Sequence, residues 1–196
     1  APYCSNVHIV PTAIDCQRFS PASRLAEAAA RPGFVIGWTG TAGNFRYLES
    51  IAPALARVLR EVPGASLLVI AEREPQLPAL AGLPVTFVRW SPAVEATTLA
   101  GADVGIMPLE DSEWTRGKCS FKMLQYMALG LPTVVSPVGS FSALAFDRAL
   151  TRAIGPRRSR KQSRTWMPIE VMAPARVSSA ALRQLSGSWA ASQSWL

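Results

Sequence analysis

The stretch that decides the fold is FVIGWTGTAGN, at Phe34–Asn44. It begins as a short apolar run, which is typical of a strand buried on both faces, and it continues into a loop with repeated glycines. Apolar residues then recur at three- and four-residue steps, which predicts a helix over Phe45–Val62 with Asn44 as its N-cap. A strand, a glycine loop and a helix in this order predict the opening unit of a parallel α/β sheet.

The same alternation of strands and helices continues on both sides of this stretch. The predicted strands are Val7–Val10, Phe34–Gly37, Ser66–Ala71, Val85–Val88, Asp103–Met107 and Pro132–Ser136. The other predicted helices are Ala22–Ala30, Pro92–Ala100 and Cys119–Leu129. Because right-handed crossovers exclude most alternatives, this order predicts an α/β fold with a Rossmann-like, doubly wound parallel sheet and helices on both faces.

The net charge of +7 is concentrated in the last quarter of the chain. Residues 1–147 carry 11 basic and 12 acidic side chains, whereas residues 148–196 carry 9 and 1. Since a basic tail alone is weak evidence for a partner, we expect no nucleic-acid ligand. Three interpretations of the tail stay open: a poorly ordered extension, an arm that contacts nucleic acid or a membrane, and an out-of-frame translation of GC-rich DNA.

The cysteines and the histidine exclude several kinds of site. Cys4, Cys16 and Cys119 form no Cys-x-x-Cys pair, which excludes a disulfide framework and a cysteine zinc site and favours a reduced, cytoplasmic setting. The single histidine, His8, lies in a predicted strand without a second metal ligand nearby, so no metal site and no Ser/His/Asp or Cys/His catalysis is predicted. Asp103 is interpreted as a strand-end carboxylate rather than a base.

Two loops are candidates for an anionic ligand, because doubly wound sheets bind ligands at the carboxyl ends of their strands. The first loop, Gly37–Asn44, combines glycines, which expose backbone N–H groups, with the N-terminus of the helix that follows. It matches neither the dinucleotide-binding glycine motif nor the P-loop, which lowers the case for both kinds of site. A glycine-rich turn with an N-cap is the alternative interpretation.

The second loop, Glu110–Lys122, carries Arg116, Lys118 and Lys122 around the start of a predicted helix. Cations and backbone N–H groups together make a good diphosphate clamp, although a solvated charged loop explains the same residues. Gln125 follows on the inward face of that helix, where a polar side chain needs a partner. Either a ribose hydroxyl or a backbone carbonyl would serve.

Residues at the ends of other predicted strands extend the candidate site. Glu72 follows the second of the central strands, and Arg89 and Trp90 follow the third, so we assign them with Gln125 to contacts with ribose or base. Surface charge is the alternative for Glu72. Trp38, Trp90 and Trp114 would wall a nucleotide pocket or, in the alternative interpretation, serve only in aromatic packing.

Four blocks of this sequence resemble the nucleotide-sugar-binding half of a GT-B glycosyltransferase of group 1, family 4-like. The blocks are Val10–Asp15, Ile36–Thr41, Asp103–Leu109 and Gly117–Gly139. The last, GKCSFKMLQYMALGLPTVVSPVG, is the most specific of the four. Where many members carry two glutamates separated by seven residues, this chain has Gly117 and Gln125.

The resemblance implies one half of a GT-B fold, with a nucleoside-diphosphate sugar as donor substrate and no cofactor or obligatory metal. The donor- and phosphate-binding residues that it implies are Gly37, Thr39, Gly40, Asn44, Arg116, Lys118, Cys119 and Ser120. Arg116 and Lys118 would neutralise the diphosphate leaving group. Gln125 would stand where a ribose-binding glutamate is usual, with Glu72, Arg89 and Trp90 beside the ribose or base.

The resemblance further implies a partner domain with the acceptor site, which we expect to lie N-terminal and outside this chain. We therefore expect a retaining enzyme whose activity needs that acceptor domain. The resemblance also allows the full enzyme to associate peripherally with a membrane. The expected division is a linker and first strand over residues 1–20, a donor domain over 21–147 and a basic tail over 148–196. The alternatives are a nucleotide-sugar epimerase of the same fold, another Rossmann-like nucleotide binder and a non-catalytic interaction module.

Overall fold

A computed structural model of the chain describes residues 4–8, 10, 12–21 and 33–139. Its centre is a sheet of five strands in the order β3-β2-β1-β4-β5, with every pairing parallel. The strands are β1 (Phe34–Thr39), β2 (Ala65–Ala71), β3 (Val85–Arg89), β4 (Val104–Met107) and β5 (Thr133–Val135). The predicted doubly wound α/β fold is therefore confirmed.

The helices cover both faces of this sheet. They are α1 (Phe45–Ser50), α2 (Ala52–Glu61), α3 (Pro92–Ala100), α4 (Glu113–Arg116) and α5 (Phe121–Ala128), with 3-10 turns at Ala42–Asn44 and Pro78–Leu80. One apolar core lies beneath α1 and α2, and a second lies beneath α3 and α5. Alternate strand residues serve the two cores: Leu67 and Val69 face the first, whereas Leu68 and Ile70 face the second.

Two glycines let the helical layer approach the sheet closely. A methyl group added at Gly105 would lie 2.5 Å from the Tyr126 ring of α5, and one added at Gly37 would lie 2.7 Å from the Ala102 side chain. At the opposite end of the sheet, the Val35 N–H donates to Asp103 Oδ2 at 2.7 Å and ties the starts of β1 and β4 together. Asp103 is thus a strand-end carboxylate, as the sequence predicts.

The single helix predicted over Phe45–Val62 is wrong, because two helices occupy this range. The break falls at Ile51, whose backbone leaves the helical region at φ −105° and ψ 2°. Pro53 follows within the first turn of α2, and a proline has no N–H to donate to the preceding turn. Asn44 is also not a side-chain cap, since its amide nitrogen donates to Thr41 Oγ1 instead.

The strand predicted over Val7–Val10 is also wrong where the structure describes it. Val7, His8 and Val10 lie outside any strand and are exposed, and a ring nitrogen of His8 forms a hydrogen bond of 2.8 Å with Asn6 Oδ1. The apolar alternation here has no neighbouring strand to pair with in the described sheet. The helix predicted over Ala22–Ala30 and the basic tail, residues 148–196, lie outside the described residues.

Candidate functional site

The candidate site lies at the carboxyl edge of the sheet, between β1 and β4, where the strand order reverses. Both loops singled out in the sequence reach this crevice, one after β1 and the other between β4 and α5. Lys118 joins them, because its ammonium donates to Asn44 Oδ1 at 2.7 Å and lies 4.9 Å from the centre of the Tyr47 ring. The fold thus brings two sequence-distant loops into direct contact at a doubly wound sheet's usual ligand position.

The loop after β1 is held by the protein's own groups. The Gly40 N–H donates to the Ile70 carbonyl at 3.0 Å, and the Ala42 N–H donates to Glu72 Oε1 at 2.6 Å. In this structure Glu72 therefore holds the loop backbone in place. The sequence instead predicts that it contacts ribose or base. A methyl group at Gly40 would lie 2.5 Å from the Trp38 ring, so this glycine is required by packing.

A buried polar network lies directly behind this loop. Glu95 of α3 is 6% exposed, and it accepts from Thr39 Oγ1 at 3.2 Å and from an Arg18 guanidinium nitrogen at 3.0 Å. The Tyr126 hydroxyl donates to the Ile106 carbonyl and accepts from the Thr39 N–H, and burial raises the pKa of this phenol. The network fixes the end of β1 to α3, to α5 and to the segment that contains Arg18.

Gly37 and Thr39 are consequently poor candidates for direct ligand contact. Gly37 is buried within β1, where it pairs with Leu68 and Gly105. Thr39 is buried at the end of the same strand, and its hydroxyl and N–H both bond to protein groups. The sequence assigns both residues to phosphate or sugar, but in the structure both lie within β1. The strand ends at Thr39, two residues beyond its predicted end at Gly37.

The cations of the second loop separate into two kinds. Arg116 forms a bidentate pair with Asp111, at 2.7 Å and 3.0 Å, and this pairing raises the pKa of Arg116 and lowers that of Asp111. Lys118 instead bonds to Asn44 of the other loop. Burial lowers the pKa of Lys118, and the nearby Arg46 charge adds to this effect. Arg116 is thus engaged at the surface, whereas Lys118 spans the crevice.

The start of α5 has an unusual backbone. Ser120 is buried in the left-handed region, at φ 59° and ψ 19°, which turns the chain sharply into the helix. The Cys119 thiol is exposed beside the Thr12 side chain. Hydrogen bonds from Thr12 and from the N–H groups of Phe121 and Cys119 lower the pKa of this thiol. Of the two N–H groups predicted to face phosphate, those of Cys119 and Ser120, the Cys119 group therefore faces the cysteine sulfur.

Gln125, one turn into α5, is the most telling of the predicted ribose residues. Its side chain is 1% exposed, and its Oε1 atom accepts no hydrogen bond within the described part of the chain. A buried acceptor without a donor is costly, so a hydroxyl donor at this position would be stabilising. The sequence indicated this feature through the polar residue on an inward helix face.

The three tryptophans occupy different surroundings. Trp38 is buried against Phe45, with 5.8 Å between ring centres, and serves in core packing. Trp90 is 42% exposed and follows Arg89 at the end of β3, two strands away from the crevice. Trp114 is 74% exposed on α4. Neither Trp38 nor Trp114 thus forms an enclosed wall, and Trp90 and Arg89 remain predictions at the outer edge.

Sequence reasoning missed Glu95, which lies in a helix whose sequence offers no motif. It also missed α4 within the predicted loop, although Ser112 and Thr115 form a reciprocal capping box there. Among residues 4–8, 10, 12–21 and 33–139, no three His, Cys, Asp or Glu side chains group closely enough to hold a metal ion. None of the helices within those ranges has the length and apolar character that a membrane crossing requires.

Comparison with known proteins identifies the family. The family model described as "Glycosyl transferases group 1" matches residues 33–154. The fold is similar to the C-terminal domain of a glycosyl transferase group 1 family protein (LpcC) from Francisella tularensis, with a TM-score of 0.51 and 18% identity over 69% of this chain and 76% of that one.

A second solved structure, sucrose-phosphate synthase from Thermosynechococcus elongatus, has a TM-score of 0.52 and 18% identity. That match covers 74% of this chain and 38% of the synthase. A search of curated proteins found no significant match. Because the family model covers more than half of the sequence, the chain belongs to the group 1 glycosyl transferases.

Proposed function

We propose that this domain binds the donor of a glycosyl transfer reaction, a nucleoside-diphosphate sugar, in the crevice between β1 and β4. The observation that carries the proposal is the 2.7 Å bond from Lys118 to Asn44, which sets an ammonium between the two loops. A diphosphate leaving group develops negative charge as the sugar departs, and a fixed cation at that point stabilises it. Lys118 is the described residue best positioned for this task.

Other residues of the crevice support the same proposal. Gln125 Oε1, buried and without a donor among the described residues, suits a ribose hydroxyl. Asn44, Gly40 and the backbone at Cys119 and Ser120 surround the diphosphate position in this account. We place Arg89 and Trp90 towards the base and leave Glu72 in its loop-ordering role. Arg116 has no part in this account, because Asp111 already holds its guanidinium.

The finer parts of the proposal rest on the family resemblance. We propose a retaining reaction whose acceptor site lies in a second, N-terminal domain, so that these 196 residues bind donor but transfer no sugar by themselves. We also propose a cytoplasmic enzyme with a linker over residues 1–20, a donor domain over 21–147 and a separate basic tail. Sugar transfer to an acceptor by this chain alone would contradict the proposed incompleteness.

Calorimetric titration of the full chain with UDP, GDP, ADP and CDP tests donor binding. We expect one diphosphate to bind selectively and Lys118→Ala to weaken that binding by about 10- to 100-fold, because a hydrogen bond to a charged group contributes about 1.5–3 kcal/mol. Arg60→Ala, which removes an exposed charge at the end of α2, is the matched control.

Equal binding by wild type and Lys118→Ala would remove Lys118 from the site. Failure of all four diphosphates to bind a folded chain would overturn the proposed function. Binding to a polyanion that falls steeply with salt and involves the tail would support the interaction-module alternative instead.

A further inference from the structure

We propose that Lys122 is the second cation that contacts the diphosphate, and that it does so from the α5 side of the loop after β1. This inference rests on the proposed donor-binding function and adds a residue to that site. Two observations support it. The Lys122 side chain lies against the loop after β1, and its ammonium has no hydrogen-bond or ion-pair partner among the described residues.

The position of Lys122 follows from its place in the first turn of α5. A methyl group added at Gly40 would lie 3.1 Å from Lys122 Cε, so the lysine stem passes directly against the loop after β1. Lys118 reaches the same loop through Asn44. The two lysines thus flank one short stretch of backbone at the sheet's carboxyl edge.

The partners of the surrounding carboxylates are already assigned. Glu95 accepts from Arg18 and Thr39, and Glu72 accepts from the Ala42 N–H. Within the described ranges, Lys122 has no hydrogen bond and no ion pair within 4 Å, in contrast to the bidentate pairing of Arg116. A partly buried ammonium without a partner is costly, and an anionic ligand at the crevice would offset that cost.

The charge state of Lys122 provides a distinctive readout. Burial lowers its pKa, and the Lys118 charge lowers it further, whereas Glu95, Cys119 and Glu72 act in the opposite direction. A bound diphosphate would favour the protonated amine and raise this pKa. Binding is therefore accompanied by net proton uptake at a pH between the free and bound values, and affinity falls as the pH rises above the free value.

Calorimetry of the full chain in two buffers of different ionisation enthalpy measures this uptake. The probe is the tightest-binding nucleoside diphosphate, titrated at a series of pH values from about 8 to about 10, where its terminal phosphate (pKa about 6) is fully ionised. We expect uptake by the wild type. Lys122→Met should abolish the uptake and weaken binding about 10-fold. Lys122→Arg, which stays protonated, should retain binding with little uptake.

The outcomes separate this inference from the proposed function. If the wild type binds and Lys118→Ala weakens binding, but Lys122→Met keeps full affinity and uptake, only the role of Lys122 is overturned. Uptake that persists in Lys122→Met with reduced affinity assigns the proton to another group, such as Cys119, and contradicts the linkage. If the wild type binds but takes up no proton at any pH of the series, the proposed protonation of Lys122 is wrong, whatever the variants show. Absence of diphosphate binding overturns both proposals.

Discussion

The two loops that meet at the crevice differ in what their polar groups do. In the loop Gly40–Asn44, two N–H groups bond to Ile70 and Glu72, and the packing of Trp38 explains the glycine at position 40. In the segment Lys118–Lys122, two ammonium groups approach that loop, and burial lowers the pKa of both. The comparison indicates that the first loop supplies shape, whereas the second supplies charge.

The difference matters because a glycine-rich loop before a helix is easily assigned to phosphate on sequence alone. Such loops bind anions through free N–H groups and a helix N-terminus. Here the helix that follows, α1, has only six residues, and a carboxylate already accepts from the loop. In the proposed donor site, the positive charge for a diphosphate therefore comes from the segment Lys118–Lys122, which includes the first turn of α5.

The largest expected effect concerns the shape-giving loop. Gly40→Ala places a methyl group 2.5 Å from the buried Trp38 ring, so we expect the free energy of unfolding to fall by about 1–3 kcal/mol. Gly43→Ala is the matched control, because a methyl group there meets no atom within 4 Å. Denaturant unfolding of both variants measures the difference. Equal stability of the two would show that packing does not explain Gly40.

A smaller effect is expected for the network behind that loop. Glu95→Gln removes the charge that pairs with Arg18, and we expect a loss of about 1–2 kcal/mol, moderated because Arg18 is one-third exposed. Arg57→Gln, which breaks the exposed pair with Glu61, should cost less than about 0.5 kcal/mol. Chemical denaturation compares them, and similar losses would mean that burial of Glu95 contributes little.

The smallest effect is expected at the surface pair of Arg116 and Asp111. Arg116 holds the pKa of the Asp111 carboxyl below its ordinary value, so the pair stabilises the fold above the ordinary carboxyl pKa and ceases to do so as the pH falls through the lowered one. We expect Arg116→Met to raise the pKa of the Asp111 carboxyl towards its ordinary value, as measured by NMR titration. Diphosphate affinity should change less than twofold. A large loss of affinity would restore Arg116 to the binding site.

Much of the fold is encoded in local sequence patterns. The five central strands, the crossover helices and the meeting of the two loops follow from buried apolar runs and the reversal of strand order. The helix break at Ile51 was predictable from Pro53, because a proline has no N–H to donate to the preceding turn. The missing strand at Val7–Val10 shows the limit, because alternation does not say whether a neighbouring strand exists to pair with.

The side-chain partners within the site were harder to predict. Charge marks Lys118 and the inward helix face marks Gln125 as candidates in the sequence, and their contact with a donor stays a prediction. Arg116 and Glu72 were assigned to a ligand, yet both bond to protein groups whose proximity depends on the folded loops. Glu95 carries no motif, and its contact with Arg18 joins residues 77 positions apart. A single sequence gives no signal for such a pairing.

Donor binding between β1 and β4 is tested most directly by mapping backbone amide chemical-shift changes on the full, isotope-labelled chain as a nucleoside diphosphate is added. If the donor binds between β1 and β4, the largest changes fall at Gly40–Asn44 and Lys118–Lys122, with little change at Gly64 and Asp103 at the opposite edge of the sheet. Changes concentrated at that opposite edge, or in the tail alone, would contradict a donor site between β1 and β4.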